Sequence, residues 1–291
     1  MPDAQTVYVD DSGTDPQSKI ADASFCVATV ERWLDFEDRW RKIADSAGFD
    51  IKHWHMTEFA ACRPTNFCQQ CLRQKTTAIE HPWRRWPDKK REAVLKRLAK
   101  ALVATVEWAH GNSYTKSDFE QHIRDSPARS VAEDAIGDEH FTFAVQQCGG
   151  KLAEWRASTG QYPPLKFVFD LTSEKERYEI AKVFFARIEN QDRIQNGLER
   201  WFEPEPNGVT FENRRSTVQL LAPDMIAWLI ATLRARELYR VGRHVEMFQL
   251  AYVFTAENAK HMRIGYTNPQ AFIEWEKATL NNAKMTQEDS Q

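Results

Sequence analysis

Residues 165–173 read LKFVFDLTS, a continuous apolar run that stops at a polar cluster. A strand that shows no polar alternation is one buried on both faces, and such strands belong to sheets covered by helices on either side. The run leads into Ser173 and Glu176, spaced as a capping box, and then into Ile180, Val183, Phe184 and Ile188 at helical spacing. A strand feeding a helix through a short polar turn predicts a crossover unit and an α/β fold. Asp170 stands at the carboxyl end of that strand.

Working outward, TVYVD at 6–10 is a β-branched strand stopped by the turn-forming DSGT, and ASFCVATV at 23–30 is its hairpin partner. Leu34, Phe36, Trp40, Ile43, Ala44 and Ala47 then fall at helical spacing, with Gly48 as the stop. The segment IKHWHMTEF at 51–59 reads as a third strand or strand end, leaving Glu58 near its exit and His53 and His55 on one strand face. On the other side of 165–173, residues 209–212 read as a further short strand. VQLLAPDMIAWLIATLRARELYR at 218–240 is a long apolar helix with Pro223 in its first turn. Between 60 and about 130 the composition changes to cysteine, proline, tryptophan and a basic run, with one helix over about 90–106 whose stripe is Val94, Leu98, Ala101, Leu102 and Val106. Another helix is expected over 131–156. The organisation predicted is one domain over 1–284, with its core in about 5–59 and 131–256, a mainly helical insertion at about 60–130, and a polar tail at 285–291.

The 291-residue chain is 42% hydrophobic and 28% charged, the composition of an ordinary globular protein. The uninterrupted apolar runs, such as that around Asp224-Met-Ile-Ala-Trp-Leu-Ile, fall short of the ~20 residues a membrane span needs. No membrane crossing is expected. The opening MPDAQTVYVDD lacks the basic head and apolar stretch of a secretory signal, and five cysteines do not form an even disulfide framework, so the expected location is cytoplasmic. The net charge of −3 is unevenly spread: residues 81–100 hold eight Lys or Arg against Asp88 and Glu92, giving +6, while the remainder carries −9. Arg84, Arg85, Lys89 and Lys90, interleaved with Trp83 and Trp86, are candidates for nucleic-acid contact through phosphates and base stacking; a solvated helix face beside a tryptophan-rich contact is the alternative.

Four acids occupy positions that can meet at one sheet edge. Asp10 closes the first strand, Glu58 the third segment and Asp170 the buried strand, while Asp224 lies in the opening turn of an apolar helix. Carboxylates suit hard cations such as Mg2+ or Mn2+, and an aspartate among Ala222, Met225, Ile226 and Trp228 is costly to bury without a partner. Each position also has a plainer use, Asp10 with Ser12 and Gly13 as a turn and Asp224 as a helix-start charge. Asp11, Ser12 and His55 are accessory candidates. Cys62, Cys68 and Cys71, spaced C-x5-C-x2-C, could hold structural Zn2+ together with His81 or His55, although no second CxxC is present.

The strings VYVDDSGT, HWHMTEF, FVFDLTSE and APDMIAW, in that order, resemble the bacterial family known as domain of unknown function 3800, whose fold is ribonuclease-H-like. Two positions depart from the family pattern: Asp11 stands where Glu is usual, and Leu221 where Gln is usual, the nearest Gln being Gln219. The resemblance implies a mixed sheet flanked by helices and places Asp10, Glu58, Asp170 and Asp224 in a divalent-metal site. The expected activity is hydrolysis of a nucleic-acid phosphodiester by two ions about 4 Å apart. The alternative is a nucleic-acid- or protein-binding module that keeps the fold without the chemistry.

Overall fold

The computed structural model describes residues 4–11, 18–62, 81–127, 140–160, 165–171, 209–239, 250, 251, 253, 261–268, 270–274 and 277. Strand β1 (Gln5–Asp10) pairs antiparallel with β2 (Ile20–Thr29), and β3 (Trp108–Thr115) lies antiparallel on the other edge of β2. Beyond β1 come β4 (Leu165–Asp170) and then β5 (Val209–Glu212), both parallel; β6 (Met262–Tyr266) runs parallel to β3. The described residues thus form a six-stranded mixed sheet in the order β5-β4-β1-β2-β3-β6. On one face lie α1 (Val30–Ala47), α2 (Met56–Ala61), α3 (Asp88–Thr105) and, after the short α4 (Lys116–Phe119) and α5 (His140–Thr159), the long α6 (Leu221–Tyr239). The other face is covered by α5. This is the expected α/β architecture, a mixed sheet with helices on both sides.

Local signals explain the helices that bear on the site. Helix α1 starts at Val30 because the Thr29 side chain accepts the Arg32 N–H, and it stops at Gly48, whose φ of +79° lets its N–H reach the Ala44 and Asp45 carbonyls. Helix α6 lies on β2 and β3 where Gly111 leaves room: a Cβ there would stand 1.8 Å from Ile230 Cδ1. The stretch Val218–Glu237 is, by length and composition, apolar enough to cross a membrane, more than its interrupted apolar runs suggest, but most of it is buried against the sheet.

Three expectations are corrected. Residues 51–59 form no strand; Ile51–His53 is a 3-10 turn begun by Asp50, whose side chain accepts the Lys52 N–H, and Met56–Ala61 is helix α2. The His55 Nδ1 caps that helix by accepting the Thr57 N–H at 3.1 Å, so local capping and the burial of Trp54 among Trp40, Phe49, Phe59 and Trp83 outweigh the strand-like alternation. Strand β3 lies inside the segment that composition assigns to an insertion, and β6 lies beyond residue 256, so the sheet draws on more of the chain than expected. Trp83 is fully buried and Trp86 is 8% exposed, which removes both indoles from any base-stacking surface. The expected capping box and helix after Thr172 lie outside the described residues.

Candidate functional site

Register brings the acids together. Side chains alternate along a strand, so Val7 and Val9 face the α5 side, and Asp10 faces the α6 side with Tyr8; by the same alternation Asp170 faces α6 while Phe167 and Phe169 face α5. Parallel pairing sets Val9 opposite Phe169, which levels Asp10 with Asp170 at the carboxyl ends of neighbouring strands. Ser24, opposite Asp10 on β2, donates its Oγ hydrogen to the Pro223 carbonyl at 2.7 Å and so fixes the start of α6 over this edge. Asp224 follows. Its Oδ2 accepts the Met56 N–H at 2.8 Å, tying α2 to the same spot and placing Glu58 two residues further on.

A cation sits where the three aspartates converge. Arg214 Nη2 is 2.5 Å from Asp170 Oδ2, while its Nη1 lies 3.7 Å from Asp224 Oδ1 and 3.9 Å from Asp10 Oδ2. The residue is carried by a tight turn after β5: Asn213 accepts the Arg215 N–H through Oδ1 and the Ser216 and Thr217 N–H groups through its carbonyl, and the Arg214 N–H reaches Asp170 Oδ1 at 3.3 Å. Asp10 is 1% exposed and Asp224 fully buried. Burial, followed by Arg214 acting in the opposite sense and then by the charges of Asp224, Asp11 and Asp170, leaves the Asp10 carboxyl well above its ordinary range. For Arg214 burial disfavours the charge, but Asp10, Asp224 and Asp170 outweigh it and hold the guanidinium protonated more firmly than usual.

Glu58, Asp170 and Arg214 line a cleft of about 270 Å³ whose rim carries Lys52, His53, His55 and Arg215. Burial and the Asp224 charge push the Glu58 carboxyl up to about 7, against the opposing pull of Arg214 and Arg215. His81, stacked on Trp83 at 4.6 Å, places Nε2 3.3 Å from Glu58 Oε2. His55 Nδ1 lies 3.7 Å from Asp224 Oδ1, yet that nitrogen already accepts the Thr57 N–H and carries no proton toward the aspartate. Burial also lowers the His55 pKa, so the ring is neutral with its proton on Nε2, and the contact is not an ion pair.

The structure therefore brings Asp10, Asp170 and Asp224 around one point and sets Glu58 and His55 beside it. Asp11 contributes its backbone N–H to Asp10 Oδ1 at 2.8 Å; Ser12 lies outside the described residues. Among the described residues no three His, Cys, Asp or Glu side chains are grouped closely enough to hold a metal ion, and Arg214 lies between the three aspartates. The donor set nevertheless suits a hard cation. Asp10 Oδ2 and Asp224 Oδ1 are buried oxygens without a hydrogen-bond partner among the described residues, both directed at the same guanidinium nitrogen, which itself lacks one.

Cys62 is buried at the carboxyl end of α2, and Cys68 and Cys71 lie outside the described residues. Arg84 and Arg85 sit on a 3-10 turn that follows His81, while Lys89 and Lys90 open α3. Lys90 caps α1, its Nζ donating to the Ala47 carbonyl at 2.9 Å, and Arg91 is an internal brace donating to the Phe59, Cys62 and Trp83 carbonyls. Arg214, Arg215 and Lys52 are absent from the sequence reading. Their signal was the pair Arg214-Arg215 after the turn-former Asn213 at the end of a short strand, at the edge where Asp170 was already placed. No protein-family model matches the chain, and no curated protein is significantly similar to it.

Proposed function

We propose that the chain is a divalent-metal-dependent hydrolase of nucleic-acid phosphodiesters, built on a ribonuclease-H-like core. The observation that carries this reading is the convergence of Asp10, Asp170 and Asp224, from three separate elements, with two buried carboxylate oxygens left unsatisfied beside a cleft with a basic rim. The order β3-β2-β1-β4-β5, with antiparallel neighbours followed by parallel ones, supports the fold assignment.

The three aspartates and Glu58 would hold Mg2+ or Mn2+, which when bound supplies activation of water and stabilisation of the leaving oxygen. Lys52 and Arg215 at the rim bind and orient the phosphate. Glu58 stands beside the aspartates, its Oε2 3.3 Å from His81 Nε2, where it would complete the ligand set. The test is a panel of DNA and RNA substrates with Mg2+ or Mn2+. Cleavage that stops on chelation and is absent in folded Asp10→Asn is the expected result; cleavage indifferent to chelation, or full activity in that variant, overturns the proposal.

One observation favours a second reading, a binding module without catalysis: an arginine already neutralises the acids, as it would if it had replaced the metal for good. In that case the wild-type protein binds nucleic acid but takes up no divalent ion.

A further inference from the structure

Arg214 fits its three carboxylates unequally. It meets Asp170 at hydrogen-bonding distance, but Nη1 is 3.7 Å from Asp224 Oδ1 and 3.9 Å from Asp10 Oδ2, too far for hydrogen bonds. All three of those atoms are buried and lack hydrogen-bond partners among the described residues. One guanidinium offsets only part of the charge of three carboxylates here, and hydrogen-bonding capacity is unmet as well; buried polar groups left in that state cost free energy. A planar fork fixed on Asp170 cannot also close on two carboxylates from other elements; a compact ion can be approached from several directions at once.

The backbone and side chain of Arg214 differ in their freedom. The turn is pinned by the Asn213 side chain and carbonyl and by Asp170 Oδ1. The side chain is 27% exposed and lines the cleft, so its guanidinium has an open direction in which to move. We infer that Arg214 is a displaceable internal counter-cation: it neutralises Asp10 and Asp224 in the metal-free protein and gives way toward the cleft when a divalent cation binds. This rests on the metal-site reading above. Once displaced, the guanidinium joins Arg215 on the cleft side, where it faces the substrate phosphate, so one residue serves the acids in one state and the phosphate in the other.

A ligand that must first displace an internal competitor binds with an affinity reduced by the fraction of protein in the competent state. Removing the competitor should therefore tighten metal binding while weakening the metal-free fold. The experiment is calorimetric titration of Mn2+ into the full chain and its Arg214→Gln and Arg214→Lys variants, with urea denaturation of each in chelator. The expected result is that wild type binds Mn2+, that Arg214→Gln binds it about tenfold tighter or more, equivalent to about 1.4 kcal/mol, and that its metal-free unfolding midpoint falls and recovers with Mn2+. Equal or weaker binding by Arg214→Gln with normal wild-type binding overturns the inference and leaves the metal site standing. Binding by the variant alone identifies Arg214 as a permanent occupant, which overturns displacement, and binding by neither overturns the metal site itself. Should Arg214→Gln fail to fold without metal, Arg214→Lys decides: a point charge with a shorter reach should bind Mn2+ tighter than wild type, and unchanged affinity overturns the inference.

Discussion

Replacing Asp224 by Asn separates the charge of this residue from its shape. The amide oxygen can keep the 2.8 Å hydrogen bond from the Met56 N–H, worth about 1 kcal/mol, with the Nδ2 group turned toward the cluster. What is lost is attraction to Arg214 Nη1 at 3.7 Å, about 4 kcal/mol at an effective dielectric near 20. What is gained is relief of repulsion toward Asp10, together with the desolvation penalty of a fully buried carboxylate, which is several kcal/mol. These terms are of similar size and opposite sign, so metal-free stability should move by no more than about 2 kcal/mol. Metal affinity has no such compensation. Loss of groups that merely support a ligand lowers it about 10- to 100-fold, and loss of a ligand's own charge should cost at least as much. The assays are urea denaturation in chelator and calorimetric titration with Mn2+. Mn2+ affinity within about threefold of wild type, or a loss of metal-free stability above about 4 kcal/mol, would refute the reasoning; the second outcome would make Asp224 a structural partner of Arg214.

Glu58 supplies a pH test. Its carboxyl lies near 7 in the folded protein against 4.5 ordinarily, so the native state disfavours its charged form. Its contribution is fully present below about pH 4.5 and is lost as pH rises through about 7; Glu58→Gln should flatten the fall in stability between pH 5 and pH 8 by about 2 kcal/mol after allowance for partial exposure. An unaltered pH profile by urea denaturation would contradict the assignment. Charge-neutral replacement of Arg84, Arg85, Lys89 and Lys90 should weaken nucleic-acid binding and reduce its log–log salt slope by about 0.9 for each phosphate contact removed. Anisotropy titrations across a salt series check this, and an unchanged slope marks the run as solvated surface. Gly111→Ala should destabilise the fold by about 1–3 kcal/mol through the Ile226 and Ile230 side chains, measurable by denaturation without metal.

The elements legible in the sequence are those whose signals are local. The apolar run of β4, the β-branched β1, the helical stripe of α1 with Gly48 as its stop and the long apolar α6 need nothing beyond neighbouring residues to be read. Strand β3 has no such signal. His110, Asn112 and Ser113 are buried polar residues within it, Asn112 is satisfied by Thr267 from a distant segment, and Gly111 is there for the approach of α6. Residues 51–59 misled because Trp54 and Met56 alternate like a strand while the backbone is governed by the side chains of Asp50 and His55. The aspartates were readable because strand ends and helix starts fix where a carboxylate can go. Arg214 was less so: the pair Arg214-Arg215 after Asn213 marks a basic turn, but its place beside the aspartates depends on the long-range pairing of β5 with β4.

The charge count at the site shows why the acids and Arg214 have to be considered together. Three aspartates meet one guanidinium, and two of the three are fully or almost fully buried, so the metal-free protein carries more negative charge at this point than Arg214 cancels. Burial, ahead of the neighbouring charges, raises the Asp10 and Glu58 carboxyls, so the site disfavours full ionisation of its acids. A divalent cation would bring twice the charge of the guanidinium to the same oxygens and would remove the reason for the inward-facing arginine. Metal uptake and exposure of Arg214 to the cleft then become one linked equilibrium. Strands β1 and β4 and the first turn of α6 hold the three aspartates, and the Arg214 side chain on its pinned turn is the part that changes state.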